Sequence, residues 1–186
     1  REHRSCSWLC WYNYVAMSTS CPYWLETFWE TSSFNLTFKW KADWEETMSA
    51  GHLIAKLNEA LGWELRAINM YAHYAAYIRG IHRLQLEPHF SAEANESMVH
   101  SNIVRSAIVK LGGVAVTERN ATPIEHVSSY LDMLAESLKT ETKAAEVYGE
   151  LMALIEEAGD AELYDTIEQI YLAEVRSVEE LRRLAE

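Results

Sequence analysis

Four stretches of the chain repeat apolar residues at alternating spacings of three and four, the period of an amphipathic helix. The first, predicted over about 49–78, sets Leu57, Leu61, Glu64, Ile68, Tyr71, Ala75 and Ile78 on one stripe and ends at Gly80. A link through Leu84 leads to Pro88, whose fixed φ suits a first helical turn. The second helix then turns Phe90, Ser97, His100, Val104, Ala107 and Leu111 inward and stops at Gly112-Gly113. The third, predicted over about 125–158, carries Val127, Leu131, Leu134, Leu138, Glu141, Ala145, Tyr148, Met152 and Ile155. Gly159 ends it and Asp160 caps the fourth, with Leu163, Ile167, Ile170, Glu174, Ser177, Leu181 and Leu184 on its stripe. Between the second and third stretches, the residues around Thr122-Pro123 have no apolar period and are too many for a tight turn. They predict a crossover along the outside. With no strand pattern, the chain reads as all-α: a four-helix bundle whose second and third helices are joined by one long crossover.

Polar residues interrupt these stripes at matched places. Glu64 precedes Ser97 by 33 positions and Glu141 precedes Glu174 by 33, while Tyr71 and Tyr148 each follow their glutamate by seven. One offset of 77 therefore maps Glu64, Tyr71, Ser97 and His100 onto Glu141, Tyr148, Glu174 and Ser177. The chain from about residue 50 reads as two copies of a helical hairpin.

Residues 1–47 differ. Six of the seven tryptophans and all three cysteines, Cys6, Cys10 and Cys21, lie there, and no helical period is sustained. Arg1 and Arg4 before an apolar patch resemble a signal peptide only faintly, because Asn13 and the aromatic residues break the patch. The segment is expected to be a Trp-rich extension or an upstream translated stretch, with the bundle domain spanning 48–186 and Met48 its natural start. The cysteine-free remainder fits a reducing, cytoplasmic setting, which makes the sequons at Asn35, Asn95 and Asn120 chance matches. A net charge of -12 makes nucleic acid a poor partner. No run of about 18 apolar residues predicts a membrane span.

A glutamate on an apolar stripe costs several kcal/mol unless it is paired, protonated or bound to a metal. Glu64, Glu141 and Glu174, from three helices, converge on one level, and ionised together they would repel unless a cation joined them. His100, one turn from Ser97, brings a nitrogen donor of the type that iron, zinc and manganese accept. The reading without a metal is a buried hydrogen-bonded network with water. Tyr71 and Tyr148 serve equally as core aromatics with satisfied hydroxyls. His73, His82, His89 and His126 have no matched partners and are expected at the surface or in loops.

Two segments carry a resemblance. Leu57 to Leu61 followed by Glu64-Leu65-Arg66-Ala67-Ile68-Asn69-Met70-Tyr71, and His100 followed by Arg105 through Gly113, resemble the first- and second-helix signatures of the ferritin-like superfamily. Residues 50–186 are most similar to bacterioferritins. The resemblance implies homo-oligomeric cages built from dimers, no membrane partner, and ferrous iron oxidised by dioxygen or peroxide and stored as ferric mineral. The family's di-iron set, one glutamate from each of two helices and Glu-x-x-His from each of the others, carries over to Glu64, Glu141, Glu174 and His100. It also places Tyr71 beside the irons and makes Met98 the position of a shared haem ligand. Ser97 stands where the second bridging glutamate belongs and Ser177 where the second histidine belongs. The expectation is one metal bound at Glu64, His100 and Glu174, with a second held weakly or not at all. Glu93 and Glu96, near His100 on the same helix, are candidates to compensate, although Glu96 is rotated off the stripe. Three functions remain open: an iron-handling protein with reduced ferroxidase activity, a non-catalytic cage or scaffold subunit, and an oxidase or oxygenase with a mononuclear site.

Overall fold

The structure, a computed structural model, describes the backbone of residues 29–186 and the side chains of residues 50–186. Expectations for the three cysteines lie outside the described residues. The chain divides into Arg1–Ala42 and Asp43–Glu186, and the second unit holds the bundle. Its helices are α1 (Trp29–Tyr77), α2 (Arg83–Lys110), α3 (Tyr130–Ala158) and α4 (Ala161–Leu184), with no strand among the described residues. None of these helices is long and apolar enough to cross a membrane.

Three helix starts differ from those the pattern predicts. Helix α1 begins at Trp29, not near Ser49. Residues 29–49 keep no sustained apolar stripe, yet they contain no glycine or proline to break a helix. Helix α2 begins at Arg83, so Pro88 lies inside it, not in its first turn. Proline forfeits one backbone bond there, to the carbonyl of Leu84, an exposed residue whose carbonyl water can satisfy. Helix α3 starts at Tyr130 rather than Glu125, which leaves Leu131 exposed instead of on the stripe. The ends follow the sequence closely. Gly159 takes the left-handed conformation at φ 72° that closes α3, and Asp160 then accepts from the Leu163 backbone N–H at 3.0 Å to open α4.

The crossover, residues 111–129, is strapped to α1. Asn58 Nδ2 donates to the Val114 carbonyl, Val116 N–H donates back to Asn58 Oδ1, and Asn120 N–H donates to the Gly62 carbonyl at 2.7 Å. Arg66 is buried beneath it, bonding the carbonyls of Thr122 and Pro123 and the Thr140 hydroxyl of α3. A buried guanidinium is tolerated only when its N–H groups are filled in this way. Gly112, at φ 77°, turns the chain out of α2, and the next residue must be small because a Cβ on Gly113 would sit 2.7 Å from the Ile54 side chain.

The core forms two apolar clusters. One joins Leu57 and Leu61 of α1, Val104 and Ile108 of α2, Val147 to Ile155 of α3 and Leu163 to Ile170 of α4. The other joins Met70 to Ile78 of α1, Phe90 of α2, Met133 and Leu134 of α3 and Leu181 of α4. Each fully buried aliphatic or aromatic side chain contributes about 1.5–3 kcal/mol. In every helix the border between the clusters falls at the polar positions: Glu64, Ser97 with His100, Glu141, and Glu174. The two apolar clusters hold that polar level in place and shield it.

Candidate metal centre

Each helix delivers one member of the polar level to the bundle axis because its stripe places a polar residue where leucine or alanine would otherwise sit. Glu64, Glu141 and Glu174 are 1%, 4% and 4% exposed, and His100 is 7% exposed. His100 Nδ1 lies 3.0 Å from Glu174 Oε1 and 3.5 Å from Glu64 Oε1. Its other nitrogen, Nε2, faces the outward-turned Glu96 at 3.8 Å. One donor atom from each of Glu64, His100 and Glu174 falls within 4.8 Å of the other two, so a single cation can be reached by all three.

Two tyrosines tie the level together across the bundle. Tyr71 of α1 donates to Glu141 of α3 and Tyr148 of α3 donates to Glu64 of α1, both at 2.6 Å. Both rings are fully buried. Burial, and the carboxylates each hydroxyl faces, push both phenols well above their ordinary range, so they remain donors.

Burial also raises all three carboxyls. For Glu64 the hydrogen bonds from His100 and Tyr148 oppose the shift, and for Glu174 the His100 contact does the same. Glu141 is raised most clearly: burial, the Glu174 charge and a hydrogen bond shared with Glu174 outweigh Tyr71 and His100. Burial alone would lower His100, but Glu174 and Glu64 outweigh it and lift the imidazole to about 10. The level therefore sets three carboxyls whose ionised forms burial disfavours against one imidazole whose charged form they favour. A divalent cation there would offset the repulsion among the carboxylates, and a nitrogen with several carboxylate oxygens is a donor set suited to iron, manganese or zinc.

The structure brings Glu64, His100, Glu141, Glu174 and Tyr71 to one level and leaves Met98 off it, 46% exposed on the outer face of α2. Ser97 is buried at the same level, and Ser177, half-buried, reaches Glu93 Oε2 at 3.3 Å. Two expectations about histidines need correction. His73 and His126 are partners, 3.0 Å apart, because the crossover folds its end back against α1. His89 is not a plain surface residue: its Nδ1 lies 3.7 Å from Glu93 Oε1, and its Nε2 is buried with no hydrogen-bond partner among the described residues. The signal in the sequence was the spacing His89, Glu93, Ser97, His100, which follows one face of α2 toward the centre.

Residues 54–186 match the family described as the ferritin-like domain. A solved structure described as ferritin-like, di-iron-carboxylate proteins from Bacillus anthracis str. Ames superposes with a TM-score of 0.71 at 29% identity, covering 74% of this chain and 98% of that one. A dodecameric thioferritin, the bacterioferritin-related protein from Bacteroides fragilis, has the same fold with a TM-score of 0.66 at 22% identity, covering 72% of this chain and 84% of that one. Comparison with the curated proteins gave no match.

Proposed function

The chain belongs to the ferritin-like family, and from that premise we propose that it is a bacterioferritin-like iron-binding protein that takes ferrous iron as its substrate for oxidation and storage. The observation that carries this reading is the buried convergence of Glu64, His100 and Glu174 within 4.8 Å. His100 presents Nδ1 to the cation, while Glu96 faces Nε2 and favours one ring orientation. The shared, elongated level that continues to Glu141 suits a pair of ions. Two ferrous ions give two electrons to one dioxygen, which takes up two protons and leaves as hydrogen peroxide. Ser97 and Ser177 replace a carboxylate and an imidazole of the family's set, so the site is degenerate toward Glu141 and the oxidation is slowed.

Assembly as a homo-oligomer belongs to the same reading. Met98, Val99 and Val109 are exposed on the outer face of α2, an apolar surface that a second copy would cover. The thioferritin from Bacteroides fragilis is described as dodecameric.

Iron content after anaerobic Fe(II) loading and removal of excess tests the proposal. The unaltered protein retains tightly bound iron, and His100→Ala retains at least about tenfold less at the same free iron. Equal retention in both would sink the assignment. An intact oligomer that binds no iron at all would instead make the chain a scaffold subunit.

A further inference from the structure

We propose that His73 of α1 and His126 of the crossover form a surface metal site, which takes a divalent cation of the zinc or copper kind and staples the end of the crossover to α1. It shares no residue with the level around His100 and does not depend on the iron reading. The spacing of the two rings carries the argument. His73 Nε2 lies 3.0 Å from His126 Nδ1, and the rings are set edge to face at 79°. As neutral imidazoles, one ring donates its N–H and the other accepts. A metal–imidazole bond is about 2.0–2.1 Å long, so two of them meeting at about 90–110° hold their nitrogens roughly 2.9–3.4 Å apart. The observed spacing falls in that range. A cation can therefore take the place of the shared proton with a turn of each ring, and His126 is exposed and His73 half-buried, so both can turn.

The surroundings hold the pair in place. Tyr74, next to His73, donates its hydroxyl at 2.9 Å to the carbonyl of Glu125, next to His126. That bond fixes the crossover backbone to α1 one residue away from each imidazole. Tyr77, one turn after His73, packs its ring against both, with centroids 4.5 Å and 4.7 Å away. Tyr74 is buried and Tyr77 is 45% exposed. The pair thus has a wall on one side and water on the other, and water can fill the remaining positions of a bound metal. Two ligands already assembled lose less conformational freedom on binding than two unconnected surface histidines would.

The earlier tethers of the crossover run from Asn58, Gly62 and Arg66 and use amide and guanidinium groups. Those are poor ligands for zinc or copper, whereas imidazole suits both. The last tether is therefore the one that a metal can strengthen. Among the described residues no carboxylate completes a three-donor group with the pair. The site accordingly favours copper and zinc over the ferrous and manganous ions that suit oxygen-rich sites. A net charge of -12 draws cations of any kind toward the surface.

Calorimetric titration with Zn(II) tests this on the full chain, on His73→Gln and His126→Gln, and on His82→Gln as a control. His82 stacks on Tyr130. The cysteines and the central level are common to all four proteins and cancel in the comparison, and unchanged helical circular dichroism shows that each variant is folded. The unaltered protein and His82→Gln should take up about one Zn(II) more per chain than either other variant. Uptake unchanged by His73→Gln or by His126→Gln would overturn the inference, because both rings are required. Loss of the same step in His82→Gln would overturn it as well. Anomalous scattering from Zn(II)-soaked crystals gives an independent reading: a peak at bonding distance from both His73 Nε2 and His126 Nδ1 is expected, and a peak on one ring alone would refute the site. Zn(II) should also slow amide exchange at residues 124–128 in the unaltered protein but not in His126→Gln. Equal exchange with and without Zn(II) would refute the staple.

Discussion

The two hairpins, α1 with α2 and α3 with α4, share a frame and differ in what hangs on it. The frame is symmetric: Tyr148 donates to Glu64 and Tyr71 donates to Glu141, each at 2.6 Å and each across the bundle. The inserted chemistry is not. Where α2 has Ser97 and His100, α4 has Glu174 and Ser177. The first hairpin thus contributes a nitrogen and the second a carboxylate, and the pair meets at 3.0 Å. A twofold scaffold can therefore support an unsymmetrical site, because the tyrosine–glutamate bonds fix where the helices sit while the remaining positions decide what binds. Apolar clusters close the polar level from both sides.

The largest effect should come from the residue both halves share. Glu174→Ala removes the one carboxylate that faces His100 and also lies against Glu141. It should lower affinity at both cation positions by at least ~100-fold each, whereas Glu64→Ala should do so only at the position next to His100. Competition titrations with a chelating dye separate the two outcomes. Equal losses in the two variants would show that the halves are not distinct.

Sequence made the candidate centre unusually legible. Glutamates on otherwise apolar helical stripes stand out because their burial is costly, and the repeated offset of 77 marks Glu64 and Glu141, with the tyrosines beyond them, as equivalent. The crossed pairing of those tyrosines was not legible, because it depends on which helix faces which. Neither was Arg66, which a helix pattern assigns to a surface but which the crossover buries under Thr122 and Pro123. Helix starts failed for a related reason. Pro88 signals a first turn only if nothing upstream is helical, and Leu86, buried on that upstream turn, packs in the same cluster as Phe90 and holds the preceding residues in α2. His89 and Glu93 are visible as a spacing, and Glu93 as a candidate beside His100, but its meeting with Ser177 of α4 depends on how the helices pack.

Protons sharpen the comparison next. In the metal-free protein burial lifts the Glu93 carboxyl from 4.5 to about 7, and the Glu174 and Glu64 carboxylates lift the His100 imidazole from 6.5 to about 10. Both folded values lie above the unfolded ones, so the folded state holds more protons in between. The stabilisation is complete below the unfolded values and is lost as pH rises through the folded ones: from 4.5 to about 7 for Glu93 and from 6.5 to about 10 for His100. The Glu93 contribution alone is on the order of 3 kcal/mol. Urea midpoints of metal-free protein should fall steadily between about pH 5 and about pH 9, and Glu93→Gln should flatten the lower part of that fall. Metal binding should show the opposite trend, tightening as pH rises, because the cation displaces those same protons. A midpoint that climbs over this range would contradict the protonated, metal-free centre.

The smallest effect tests whether the symmetric frame is electrically symmetric. Burial raises both glutamates, but at Glu64 the His100 contact opposes the shift while at Glu141 the Glu174 charge adds to it, so Tyr148 is expected to donate to the more carboxylate-like acceptor and Tyr71 to the more acid-like one. Hydrogen bonds to charged groups contribute about 1.5–3 kcal/mol and those between neutral groups about 1 kcal/mol. Tyr148→Phe should therefore destabilise the metal-free protein more than Tyr71→Phe, although the two bonds have the same length. Each change removes only a hydroxyl from a fully buried ring, so packing differs little between the variants. Loading with metal should narrow the gap, since a cation ionises Glu141 and gives Tyr71 a charged acceptor as well. Denaturant unfolding of both variants, with and without Fe(II) under anaerobic conditions, measures the difference. Equal losses in metal-free protein would mean that the proton is shared between the halves and that the asymmetry begins only with the ligands.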